Sequence, residues 1–298
     1  MNVRPLTRDD AAAAAQLWRD LEESLAGRDS HTSADDMLLG WWSRADLEND
    51  TWAYEDDGVL VAFGGCELHG PLGHFAGAVH PSAWGRGIGA DIVDRCERRL
   101  SEKGTRRLHT WAFAEDRNAA ELFASRGYSE ARRFWEMVIE LEGPPPEPSL
   151  PAGLRIDEVL DEDAFAFHDA LAEAFQDHWE WHGMPFEEWW EMRKGQQRDA
   201  EGPLWFVVRD GDQIAATARN EARDNGGVVG ALGVRRPWRG LGLGKALLYH
   251  TFGEFQRRGL PRVSLAVDAE SHTGATKLYE SVGMRVEQES VVFEKKVA

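Results

Sequence analysis

The chain is short of cysteine, short of basic charge and free of long apolar runs. Cys66 and Cys96 are the only cysteines among 298 residues, and both lie in the first half. Two thiols make neither a disulfide framework nor a four-ligand zinc site, so no metal is expected and a reducing cytoplasm fits best. No apolar stretch approaches the roughly 18 residues of a membrane span, and the opening MNVRPLTRDD has no signal-peptide pattern. Against 52 acidic residues stand 34 basic ones, a formal net charge of −18. That balance opposes binding to nucleic-acid phosphates and suits a cationic small molecule, or serves solubility alone. The rest of the composition, 42% hydrophobic and 29% charged, describes a globular protein long enough for two domains with separate cores. The 13 tryptophans are expected in those cores or lining a pocket.

What is present is a repeat. Residues 234 to 244 read Val-Arg-Arg-Pro-Trp-Arg-Gly-Leu-Gly-Leu-Gly, and residues 79 to 89 read Val-His-Pro-Ser-Ala-Trp-Gly-Arg-Gly-Ile-Gly. A glycine-rich turn between a strand and a helix presents unpaired amides and the positive end of a helix dipole, which together suit a phosphate. Downstream, Leu122, Phe123 and Gly127 answer to Leu278, Tyr279 and Gly283. Between the copies lies the proline-rich stretch 143–152, read as a semi-stiff linker. The expected domains are therefore 1–142 and 153–298.

Each half parses alike. Short first strands are expected at 3–6 and 154–156, then helices over 9–26 and 161–175, with Thr7 and Asp10 spaced as a capping box. Hairpins follow around Asp56-Asp57-Gly58 and Asp210-Gly211-Asp212. After each glycine turn come a helix (88–103, 243–258), a strand (107–113, 262–267), a second helix (118–126, 274–282) and a terminal strand (134–141, 290–295). The pattern is an α/β fold used twice.

Arg239-x-x-Gly242-x-Gly244 after a strand, followed by Val267-Asp-Ala-Glu-Ser-His-Thr-Gly-Ala-Thr-Lys-Leu-Tyr279, resembles the GNAT superfamily of acyl-CoA-dependent N-acyltransferases. A dinucleotide site would need an acidic residue on a second strand about 20 residues on, and none is placed there. The resemblance covers nearly the whole chain as two tandem domains. It implies, in each, a central mixed, mostly antiparallel sheet flanked by helices, and acetyl-CoA as co-substrate. It puts the pyrophosphate on the amides of Arg239, Gly240, Leu241, Gly242, Leu243, Gly244 and Lys245, and the pantetheine beside Leu232, Gly233 and Val234. Ser271 and Ala275 would complete that site, and a backbone amide near Val234 would polarise the thioester carbonyl.

The resemblance makes Tyr279 the acid that protonates the leaving thiolate; a packing tyrosine is the other reading. For the base the candidates are Glu221 and the stretch Asp177-His178-Trp179-Glu180-Trp181-His182, which together with Trp189-Trp190 either shapes an acceptor pocket or belongs to a core. In the first copy Val79, Arg86, Gly87, Ile88, Gly89 and Asn118 are the matching cofactor residues, but Trp84 stands for Arg239 and Phe123 for Tyr279. That copy is expected to hold CoA or to act as scaffold, without catalysis. The function expected is transfer of an acetyl group to a primary amine of a small molecule by direct attack. A non-catalytic acyl-CoA sensor is the alternative from another class.

Overall fold

The structure is a computed structural model, and it describes residues 1–27, 30–43, 45–271 and 273–297; His272 of the second-copy motif lies outside these. The chain has a mixed α/β architecture, with sheets flanked by helices. It divides into two compact units, Met1–Phe134 with Glu289–Ala298, and Trp135–Gln288. This division differs from one drawn at the proline-rich stretch. The terminal strands run longer than expected, Ser129–Glu140 and Arg285–Lys296, and each contributes to both units. Charged residues of these strands are paired: Arg133 binds Glu130 near the start of the first, and Glu287 near the start of the second binds Arg262.

In the first unit the strand order is Asn2–Arg4, Thr51–Asp56, Val59–His69, Leu72–Val79, Arg107–Phe113 and the end of Arg285–Lys296. Neighbours are antiparallel except Leu72–Val79 and Arg107–Phe113, which are parallel. One face is covered by the helix Ile88–Glu102, whose Ile92, Val93, Cys96 and Leu100 are buried with Tyr54, Phe75 and Phe293. Over the other lies the helix Ala11–Ala26, where Leu17 and Leu21 meet Phe63 and Trp42. The capping box forms at Thr7, whose N–H donates to the Asp10 carboxylate at 2.7 Å. It opens a short 3-10 turn that leads into the helix.

The second unit repeats this order with Leu154–Glu158, Trp205–Asp210, Gln213–Arg223, Gly226–Val234 and Arg262–Asp268, followed by residues 135–140. Again one pair is parallel, Gly226–Val234 with Arg262–Asp268. The helix Leu243–Arg257 buries Leu248, Phe252 and Phe255 on one face. The helix Ala164–Phe175 buries Phe167 on the other, where it stacks on Trp205 at 5.1 Å.

Candidate active site

In each unit the parallel pair comes apart. Gly226–Val234 and Arg262–Asp268 are paired only at Gly227 with Val263 and Val228 with Ser264. Leu72–Val79 and Arg107–Phe113 are paired at Leu72, Gly73 and His74 and no further. Beyond those pairs each sheet opens into a splay whose edges carry backbone groups outside the ladder, and a flat amide-rich ligand can take their place.

At the end of each splay sits the glycine turn. Gly240 and Gly242 adopt φ of +82° and +80°, and Gly85 and Gly87 of +72° and +79°, a region only glycine occupies freely. The turn leads into Leu243–Arg257 or Ile88–Glu102, where the first helical bonds run from Ala246 N–H to Gly242 and from Asp91 N–H to Gly87. The amides of Leu243, Gly244 and Lys245 precede that bond and are presented at the helix start. Leu243 contributes through its backbone alone, since its side chain is buried. Arg239 does structural work here: its Nε donates to the Val234 carbonyl at 3.1 Å. In the first copy the Trp84 indole Nε1 donates to the Val79 carbonyl at 2.9 Å. The substitution therefore keeps the turn's internal bond. Arg86 is drawn to Asp56 at 2.8 Å.

The second helices match as well. A Cβ on Gly244 would lie 3.0 Å from Leu278, and one on Gly89 would lie 3.4 Å from Leu122. Tyr279 and Phe123, next in sequence, are both buried. Burial pushes the Tyr279 phenol up to about 12, so it keeps its proton across the neutral range. Ala275 opens the helix Ala275–Ser281 behind Gly274. Counting back from Leu278, Gly274 answers to Asn118, and Ser271 lies three residues earlier in the connecting turn, bonded to Thr273 at 2.8 Å. Lys245 turns to the Ser281 carbonyl at 3.4 Å.

Glu221 is held on both oxygens, by Arg219 and by Arg223, each at 2.7 Å. Burial raises its pKa, but the two guanidiniums outweigh this and hold the carboxylate below its usual range. The tryptophan-rich stretch splits in role. Residues 176–180 form turns and a bend, not a helix, and 181–182 are irregular, while Trp189 on the helix Phe186–Arg193 is core, packed on Phe167 and Trp205. His178 follows the helix Ala164–Phe175 in this irregular stretch. Its ring lies 4.3 Å from that of Phe175, whose edge comes within 3.4 Å of a Cβ on Gly233. His178 is reachable by solvent, yet the surrounding wall desolvates it and lowers its pKa. Asp268 and Asp177 oppose that shift and Arg239 reinforces it. Asp177 itself is tied to Arg236 at 2.6 Å.

In the first unit the glycine turn borders a cavity of about 610 Å³ lined by Val79, Gly87, Ile88, Gly89, Asn118 and Phe123, among others. The far limb of that splay carries Trp111 and Phe113, packed on Trp18 at 5.6 and 5.7 Å. The second copy has Ala266 and Asp268 at those positions. Cys96 is buried and its thiol is pushed well above the usual range, which keeps it un-ionised and unsuited to nucleophilic work.

The sequence profile of the acetyltransferase (GNAT) family matches residues 14–128 and again 164–284. The chain belongs to that family. It is similar to the mycothiol acetyltransferase of Thermobispora bispora, 33% identical over 216 residues that cover 69% of this chain and 70% of that protein. With the mycothiol acetyltransferase of Thermomonospora curvata it shares 32% over 240 residues, 76% of each chain. A GCN5-related N-acetyltransferase from Sphaerobacter thermophilus superposes with a TM-score of 0.85 at 31% identity, over 99% of this chain and 95% of that one. A tandem GNAT protein from the clavulanic acid biosynthesis pathway shares the fold of the whole chain, with a TM-score of 0.76 at 17% identity. Of the two function classes left open by the sequence, these findings select the enzyme: this GNAT protein is an acyltransferase. Among its described residues, no helix is long and apolar enough to cross a membrane.

Two features of this GNAT site escape motif reading. One is the close approach of Ala174 and Phe175 to Gly233; the other is a bulge at Gly230 in the splayed strand. Their only trace in the sequence is the recurrence of glycine at 226, 227, 230 and 233 inside one strand.

Proposed function

We propose that this GNAT enzyme transfers an acetyl group from acetyl-CoA to the primary amine of a small, cationic molecule, with catalysis confined to the second unit. The observation that carries the reading is the splay of Gly226–Val234 from Arg262–Asp268, ending on the Arg239–Gly244 turn and bordered by the helix of Tyr279. Acetyl-CoA fits these residues. The turn offers converging amides for a pyrophosphate, and the splay offers strand edges for the amides of the pantetheine arm.

The amine, once it has lost its ammonium proton, attacks the thioester carbonyl in a ternary complex. The carbonyl oxygen gathers charge under a backbone amide near Val234, the C–S bond breaks, and the thiolate takes the Tyr279 proton. His178 suits the first proton event better than Glu221. It is neutral near pH 7, exposed and packed on Phe175, which itself abuts Gly233, whereas Glu221 is fully engaged by two arginines. The names of the relatives support a mycothiol-related amine as acceptor.

In the first unit the same cradle and cavity support binding of a CoA without turnover. Phe123 lacks a phenolic proton, and Trp18, Trp111 and Phe113 occupy the acceptor side. The test is release of free thiol from acetyl-CoA against a panel of amines, mycothiol precursors included. Thiol release with at least one amine is expected. Gly242→Val should weaken acetyl-CoA binding at the second unit, since it strains a backbone at φ +80° and sets a side chain in the phosphate path. A complete absence of turnover across the panel, with CoA still bound, would overturn the reading.

A further inference from the structure

The two copies differ by one inserted residue in the splayed strand. Gly73 answers to Gly227: a Cβ on either would strike the covering helix, at Leu100 or at Phe255. Val79 answers to Val234, each with its carbonyl capped from the turn. Between these matched ends the second copy has one residue more. In its hairpin Arg219 pairs with Ala231 but Asn220 with Val229, which leaves Gly230 without a partner in the register. The first copy's register runs unbroken from Ala62 with Val79 to His69 with Leu72. With both ends anchored alike, an extra residue forces the backbone to bow, and a bow re-aims the groups that follow it.

The bow is held by a side chain. Arg219 Nη2 donates to the Gly230 carbonyl at 3.1 Å and its Nη1 to Glu221 Oε1 at 2.7 Å. Arg223 donates to the other Glu221 oxygen at 2.7 Å. A guanidinium is suited to this because its fork fixes two acceptors at once. By register the first copy has Gly65, Glu67 and His69 at these three places. The carboxylate is present in both copies, while the arginines occur only with the inserted residue. We propose that Arg219, aimed by Glu221, is a positioning residue that holds the Gly230 bulge and so directs the amides from Ala231 to Val234 at the thioester carbonyl. The proposal rests on the acetyl-transfer reading for its purpose, but its geometry can be tested apart from turnover.

The test compares wild type with Arg219→Met, Gly230→Ala, a deletion of Gly230, the double variant Arg219→Met with that deletion, and Glu221→Gln. Gly230→Ala changes no charge but puts a methyl 2.8 Å from the Arg219 guanidinium. The first readout is the infrared carbonyl stretch of acetyl-CoA, labelled with ¹³C at the thioester carbon and bound to the full chain. A donor aimed at the oxygen lowers that frequency. Wild type should show a lowered band, and Arg219→Met, Gly230→Ala and the deletion should each return it toward the free value while acetyl-CoA still binds. Label held by the first unit gives a band that is the same in every variant. The second readout is kcat with an accepted amine. Arg219→Met and the deletion should each cost about 100-fold, the loss expected of a misplaced reacting group, and the double variant no more than either. Glu221→Gln keeps an oxygen for Arg219 and should leave the pH profile in place. An unshifted band in the deletion variant, multiplying losses in the double variant, or a vanished acid limb in Glu221→Gln would each overturn the proposal. Should no amine be accepted, the reading of the reaction fails while the carbonyl band still decides on the clamp.

Discussion

The two units are built on one plan and part company at four points along one cleft. Both keep the splay, the left-handed glycines and the capped carbonyl at the splay's end. The first has Phe123 for Tyr279, an unbroken strand in place of the Gly230 bulge, and two aromatics in place of Ala266 and Asp268. The fourth difference, Trp84 for Arg239, keeps the turn's internal bond, because the two side chains donate to corresponding carbonyls, Val79 and Val234. A cradle for phosphate is a backbone object that tolerates exchange of side chains, whereas proton transfer needs one particular atom.

The largest expected effect lies at the acid. Tyr279→Phe makes the second copy match the first at that position, and kcat should fall by about 100- to 1,000-fold with acetyl-CoA affinity retained. Phe123→Tyr should confer nothing, since the first copy also lacks the bulge and the acceptor space. A Tyr279→Phe enzyme near the wild-type rate would erase the comparison on this residue. A middle-sized effect is expected at His178. Its pKa is lowered, so the imidazole is neutral above that value and protonated below it, and the rate should drop as pH falls through a point under the ordinary 6.5. His178→Gln should cost about 10-fold or more and abolish that limb in a kcat–pH profile. An unchanged limb would transfer the role to another group or to water. The smallest effect is at Trp84→Phe, which leaves the Val79 carbonyl without its indole donor. A loss of about 1 kcal/mol in denaturant unfolding is expected. No change would mean that the turn does not need that bond.

Much of this was legible from spacing. The duplication, the glycine turns and the Phe123–Tyr279 contrast are local patterns, and local patterns survive in sequence. The Gly230 bulge was not, because a single inserted glycine shows only when two strands are set in register. Glu221 stands out as a solitary acid until Arg219 and Arg223 are seen beside it on alternate residues of one strand. Trp189 could not be told from a pocket residue by composition, since its burial depends on Phe167 and Trp205, which are distant from it in sequence. The proline-rich stretch looked like a domain boundary because stiffness is visible in sequence. Membership of a compact unit is decided by contacts and is not.

The last ten residues, Glu289–Ala298, belong to the first unit, where Val291 and Phe293 sit in the core with Phe75 and Phe123. A ribosome making this chain releases the first unit's final strand only after the whole of Trp135–Gln288, the second unit, has been made. Until then the edge of Arg107–Phe113 that will bind it stays open. The half that is translated first is thus the half completed last. Loss of the strand from Glu289 onward would damage the distant cradle at Gly85–Gly89 before it touched the one at Arg239–Gly244.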